Sequence, residues 1–187
     1  MARPGIKMVA MRVGELLVDP DTSAPIVVLH GVDDEALYLP ICIGAMEATA
    51  IAAAMADVEV VRPLTHDLIM SMLNELGTYV RKVAITHLIE GTFYAEITLV
   101  DDQGHCIELD ARPSDAIALG LRTGASLYVA DAVLAEAGRI LEEQPLSEAQ
   151  GGKERPAPPK HAQVKPVLDG DVRLEDLDPE TFGKYKM

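Results

Sequence analysis

Apolar and polar positions alternate along the first third of the chain in a strand-like way. Met8 to Val18 is an apolar run broken only by Arg12, Gly14 and Glu15, which predicts a strand bent at Gly14. Asp19-Pro20-Asp21 is a turn cluster, Pro25 to His30 a second strand, and Ala36 to Ile43 a third. Pro40 supplies no ladder donor, so the third strand is expected at a sheet edge or bulged there. The period then changes. Gly44 to Asp57 is dominated by alanine and predicts a helix whose small side chains allow close packing. Leu68, Ile69, Met72, Leu73 and Leu76 recur at helical spacing, with Thr65 as the N-cap, Asp67 in the first turn and Gly77 as the stop.

Strand patterning returns over Tyr79 to Leu88, Thr92 to Val100 and His105 to Ala111, with turns at Glu90-Gly91 and Asp101 to Gly104. Pro113 to Arg122 predicts a helix stopped by Thr123-Gly124, Ser126 to Val129 a short strand, and Asp131 to Glu143 a last helix capped by Asp131. The order β-β-β-α-α-β-β-β-α-β-α predicts an α+β fold. Its largely antiparallel or mixed sheet is built from two three-stranded meanders with helices interposed. Strand-turn-helix recurs at 36–56 and 105–122, an echo that short alanine-rich helices also produce by composition alone. Residues 1–144 therefore read as one domain. The Pro- and Gly-rich stretch 145–166 has too few large apolar residues to offset chain ordering and reads as a disordered linker. Residues 167–187 regain Leu174, Leu177, Phe182 and Tyr185, and read as a short segment that docks on the body or on a partner.

Composition narrows the function classes. Of 187 residues 49% are hydrophobic and only 4% aromatic, so aliphatic side chains and methionine must build the core. No apolar stretch is long enough for a bilayer, no helix shows a basic membrane-binding face, and no secretory leader is apparent; a cytoplasmic protein without a membrane partner is expected. The net charge is −14, and residues 1–134 alone hold 8 basic against 19 acidic side chains. A protein that grips nucleic acid by charge alone would show the opposite balance. Phosphate chemistry here needs a local arginine, helix N-termini or divalent cations. Cys42 and Cys106 lie apart in strand-like runs and are expected to be small buried hydrophobes.

Nucleotide-binding glycine loops, the serine-hydrolase elbow, the zincin motif and paired CxxC sites are all missing. Two polar knots remain, Arg62-Pro63-Leu64-Thr65-His66-Asp67 and Asp110-Ala111-Arg112-Pro113-Ser114-Asp115, each leading into a helix N-terminus. Each offers unpaired N–H groups and an arginine for phosphate oxygens, and carboxylates that suit Mg²⁺ or Mn²⁺. Glu47 is the one carboxylate on an otherwise apolar helix, and if buried it needs a partner or a metal. Thr65, Asp67, Ser114 and Asp115 also fit plain helix caps, and Asp110 with Arg112 fits a plain ion pair on one strand face.

Leu39-Pro40-Ile41-Cys42-Ile43-Gly44 with Glu47, the first polar knot followed by Leu68, Gly91-Thr92-Phe93-Tyr94-Ala95, and Asp110 through Leu119 closely resemble, in that order, the bifunctional nuclease family. Where relatives commonly carry Trp, this chain has Cys42. The resemblance implies an α+β domain that pairs as a homodimer and acts on DNA and RNA. A metal-assisted phosphodiesterase would use His66, Asp67, Asp110 and Arg112 in catalysis, with His66 as general base or metal ligand and Arg112, with Arg62, steadying the scissile phosphate. Arg62, Thr65 and Ser114 would bind substrate, and Glu47 and Asp115 would hold Mg²⁺ or Mn²⁺. The alternative is a non-catalytic dimeric binding module in which the knots are caps and ion pairs.

Overall fold

The computed structural model describes residues 7–58, 60–140 and the backbone of 165–166. Strands β1 (Met8–Val18), β2 (Pro25–Gly31) and β3 (Leu37–Cys42) form one antiparallel meander. Helices α1 (Ala45–Met55) and α2 (Thr65–Glu75) follow. A second meander is built from β4 (Thr78–Ile89), β5 (Thr92–Asp101) and β6 (Cys106–Ala111). Then come α3 (Pro113–Thr123), β7 (Ser126–Ala130), α4 (Asp131–Ala137) and two-residue strands β8 (Arg139–Ile140) and β9 (Lys165–Pro166). One sheet results, in the order β6-β5-β4-β7-β1-β2-β3-β8, with β9 beside β1. Strand β7 joins the two meanders, parallel to β4 and antiparallel to β1. The expected α+β class and both meanders are present.

Local chemistry accounts for most boundaries. Glu90 and Gly91 both have positive φ (49° and 77°), the backbone of a tight primed hairpin turn between β4 and β5. Gly124, at φ 67°, closes α3 in the left-handed conformation that a Cβ would penalise. Gly14 marks the irregularity expected in β1: the pairing with β2 shifts between Val13 and Leu16. The His30 ring lies where a Cβ on Gly14 would sit. Pro40 falls where β3 is an edge among the described residues, because β8 pairs only with Leu37 and Tyr38; the β2–β3 register runs through Pro40 without a bulge.

Three expectations are corrected. Asp131 does not cap the last helix: Ala130 is the N-cap, and the Asp131 carboxylate meets the Lys7 ammonium at 3.3 Å. That helix stops at Ala137 rather than running through the sequence pattern. Gly138 takes an extended conformation pressed against the Leu134 carbonyl, and the chain turns into β8 beside β3. Cys42 and Cys106 are exposed rather than buried. Cys42 ends β3 and Cys106 begins β6, an outer strand of the sheet on which Ile107 and Leu109 are exposed as well. The expected linker lies outside the described residues except for its last two, which pair with Leu17 and Val18 as β9. The expected docking segment, 167–187, also lies outside them.

The core sits where α3 packs on β4, β5 and β7. Ile51, Val83, Ile85, Ala95, Ile117 and Val129 are fully buried there, each large aliphatic contributing about 1.5–3 kcal/mol relative to exposure. Gly120 lets α3 approach Val83 closely, since an added Cβ would stand 3.0 Å from its methyl. Helix α1 packs on α3 and β2, and α2 packs on α3 and β4. Both small helices thus lean on α3, and their N-terminal turns frame the region in which the polar knots meet. Among the described residues no helix is long and apolar enough to cross a membrane.

Candidate functional site

Helices α1, α2 and α3 share one device: an acidic residue at the third helical position, Glu47, Asp67 and Asp115 respectively, in a turn whose free N–H groups favour negative charge. Asp67 accepts a hydrogen bond from the Leu64 N–H at 2.9 Å, and Leu64, not Thr65, is the N-cap of α2. The expected cap is one residue off: Asp67, at the third helical position, reaches back to the N–H of the apolar N-cap Leu64, the acidic half of a capping box.

Two arginines ten residues apart on and before α3 gather these carboxylates. Arg112, the N-cap of α3, donates from Nε to Asp115 Oδ2 (2.7 Å), from Nη2 to Asp115 Oδ1 (3.1 Å) and from Nη1 to Glu47 Oε1 (2.9 Å). A guanidinium has five N–H groups, so one on each terminal nitrogen stays unused, on a side chain 64% exposed. Asp115 binds Arg112 through both oxygens, and this charge-assisted pairing holds its carboxyl below the usual aspartate range. His66 Nε2 stands 3.4 Å from Asp115 Oδ1, long for a hydrogen bond, and its side chain is 13% exposed.

Arg122 is the buried counterpart, with a side chain 8% exposed. Its Nε donates to Asp67 Oδ1 at 2.7 Å, and Nη1 donates to the carbonyls of Ala50 (3.0 Å) and Ala118 (3.1 Å). One side chain thereby ties α1, α2 and α3 together. Its hydrogen bond, followed by that of the Leu64 N–H, lowers the Asp67 pKa. Arg122 had not been singled out from the sequence. The available signal was a lone arginine in the apolar run Ala116-Ile117-Ala118-Leu119-Gly120-Leu121, which must find acceptors when buried.

A cleft of about 350 Å³ opens between the first turns of α1 and α3, lined by Gly44, Glu47, Arg112 and Ser114 and by Thr92 and Phe93 of the β4–β5 hairpin. The structure thus brings Glu47, Arg112 and Ser114 to one cleft and joins His66 to it only through Asp115. Thr65 and Arg62 are exposed near the start of α2 and do not line the cleft. Asp110 is exposed on β6, in register with Glu96, and forms no ion pair with Arg112. The expected Asp110–Arg112 pair is replaced by the two carboxylates that Arg112 reaches across α1 and α3.

The donor set does not fit a resident divalent ion. Glu47 and Asp115, the expected ligands, both hold the guanidinium of Arg112, which occupies the position a cation would take. Among the described residues no three His, Cys, Asp or Glu side chains are grouped to hold a metal.

A family model described as the bifunctional nuclease domain matches residues 27–142, the span carrying every residue of this site. An uncharacterized protein of Mycobacterium tuberculosis (strain H37Rv) is 42% identical over 139 residues, 74% of this chain and 82% of that protein. Bifunctional nuclease 2 of Arabidopsis thaliana is 33% identical over 105 residues, 55% of this chain and 32% of that protein. Bifunctional nuclease 2 of Oryza sativa subsp. japonica is 32% identical over 107 residues, 56% of this chain and 33% of that protein. The match spans about a third of each plant relative.

Proposed function

The chain belongs to the bifunctional nuclease domain family, and on that premise we propose that it cleaves phosphodiester bonds of nucleic acid in the cleft between α1 and α3. The observation that carries this reading is Arg112. Two carboxylates fix its guanidinium, and two N–H groups are left over at the cleft mouth, where a phosphate could take them in a fork. Two helix N-termini add about half a positive charge each, which offsets the neighbouring carboxylates. Positioning of this kind needs no reorganisation when charge builds up on the phosphoryl oxygens. Phe93, at the cleft wall, gives a base an aromatic surface.

Glu47 takes the role of base in place of His66, because one of its oxygens remains outside the Arg112 pair and it lines the cleft. His66 acts on Asp115 and so on the posture of Arg112; it is a positioning residue. Asp110, Arg62 and Thr65 receive no role in bond cleavage. We further propose that the chain works as a homodimer, joined through the exposed face of α2.

A competing reading, a non-catalytic dimeric binding module, draws on the same ion pairs: a structural network would also satisfy Arg112 with two carboxylates. Activity separates the two. Purified protein incubated with labelled single-stranded RNA and DNA, with and without chelator, should cleave. Arg112→Ala should lose about 100-fold in kcat/KM with its fold intact by circular dichroism. If cleavage is absent under every condition, the binding-module reading stands instead; cleavage that is equal in Arg112→Ala would place the reaction outside this cleft.

A further inference from the structure

We infer that residues 167–174, which follow β9, seat along an open edge of β1 and over the apolar cavity at its end, so that the chain supplies its own partner for that surface. The starting point is an incomplete strand edge. Strand β2 pairs with β1 from Met11 to Val18 and so takes one of its edges. Strand β7 takes the other edge, but only from Met8 to Met11. Strand β9 pairs with Leu17 and Val18 while both also pair with β2, so it must lie on the same side as β7. Between β7 and β9, no strand among the described residues pairs with Arg12 to Leu16 on that side. Such a gap offers backbone donors and acceptors to an added extended segment.

The direction of β9 says which segment fills it. Strand β9 runs antiparallel to β1, with Lys165 beside Val18 and Pro166 beside Leu17, so the following residues enter the gap. One further step of register sets Val167 across from Leu16, which is buried, and directly opposed residues face the same side of a sheet. The gap ends where β7 begins at Ser126, and the sequence changes character over the same length. Val167-Leu168 is apolar, Asp169-Gly170-Asp171 is a turn cluster, and Val172 and Leu174 restore apolar character. At the end of the gap lies a cavity of about 490 Å³ with Met11, Val13, Val32, Leu121, Gly124 and Ser126 in its walls. Val32 is 53% exposed there, and Val172 and Leu174 are the side chains that cover it. Among the described wall residues Arg12 carries the single charge, and its printed partner, Glu35, takes only Nη2. Its other N–H groups suit the carboxylates of Asp169 and Asp171, and residues 167–187 carry six acidic against three basic side chains. Attachment through β9 at the far end of the gap gives this segment a high effective concentration that no separate partner has.

The test uses the full chain and two measurements. In hydrogen exchange read by mass spectrometry, Val167→Asp with Leu168→Asp should speed exchange of the backbone amides between Arg12 and Leu16 about 10-fold or more, and leave those of β4 and β5 unchanged. For cross-linking, Cys42→Ser and Cys106→Ser first remove the native thiols. Ser126→Cys with Val172→Cys should then be joined by a short bismaleimide within one molecule, at a rate independent of protein concentration. A control pair, Ser71→Cys with Val172→Cys, reaches instead to exposed α2 and should link about 10-fold more slowly or less. Exchange unchanged in the aspartate variant, or equal linking of the two pairs, overturns the docking. Links that form between molecules overturn its assignment to the same chain and give the edge to a second copy. Neither measurement reads the cleft between α1 and α3, so the nuclease reading stands or falls separately.

Discussion

The two arginines that tie the helices together have different tasks, and the difference follows from burial. Arg122 is enclosed and satisfies the carbonyls of two helices along with Asp67, so removing its counter-charge leaves a guanidinium largely cut off from water. Asp67 itself is 31% exposed, which moderates the loss. Asp67→Asn should lower stability by about 1–2 kcal/mol near neutral pH, measured by urea denaturation. The folded-state pKa of Asp67 lies below its ordinary value, so the stabilisation is complete above the ordinary aspartate range and disappears as pH falls through the folded value. The gap between the parent protein and the Asn variant should therefore close below about pH 4. A gap that persists unchanged in acid would mean that Asp67 acts through something other than its charge. Of these residues, Glu47, Arg112 and Asp115 were legible in the sequence because each is a charge set beside an apolar run or at a helix start. Asp110 misled, because i, i+2 spacing on a strand is compatible with an ion pair without requiring one. Arg122 was not legible as a hub, because a basic residue in a last helical turn has an ordinary explanation in the helix dipole.

At the scale of elements, the chain uses one plan twice: a three-stranded meander followed by a helix with an acid at its third position, first as β1–β2–β3–α1 and then as β4–β5–β6–α3. Arg112 joins the two equivalent acids, so the site lies at the seam between the repeated units. The alternation of apolar positions made the strands and their order readable to within a residue or two. It could not say which stripe of α2 faces the core, because both stripes are apolar. The structure turns Ile69, Met70 and Leu73 inward and leaves Leu68, Met72 and Leu76 exposed, the last at 75%. With Leu64 and Tyr79 also exposed, this face is the candidate for burial against a second chain. The double substitution Leu68→Glu with Met72→Glu should raise the dimer dissociation constant by about 100-fold or more, by sedimentation equilibrium. It should leave thermal unfolding of the monomer near that of the parent, since these side chains contribute little to the core. A dimer that survives both charges would place the interface elsewhere.

The whole molecule sets a field against the polyanionic substrate proposed for it. A net charge of −14 repels a polyanion at long range, and only the short-range contacts of the cleft favour it. The two effects respond differently to salt. The repulsion extends about 30 Å at 0.01 M ionic strength and about 8 Å at 0.15 M, whereas groups in direct contact are screened much less. Raising monovalent salt over that range should therefore increase kcat/KM on a single-stranded substrate, the reverse of what a basic nuclease shows. Above it, loss of the phosphate contact should bring a shallow decline, with a log–log slope of about −0.7 for one neutralised phosphate on a single strand. Rates measured on one oligonucleotide across the whole salt range would display a maximum. A steep fall from the lowest salt upward, with a slope several times larger, would require several phosphate contacts rather than the one that Arg112 offers. The substrate would then have to be held by residues other than Arg112, and the cleft between α1 and α3 would lose its claim to the phosphate.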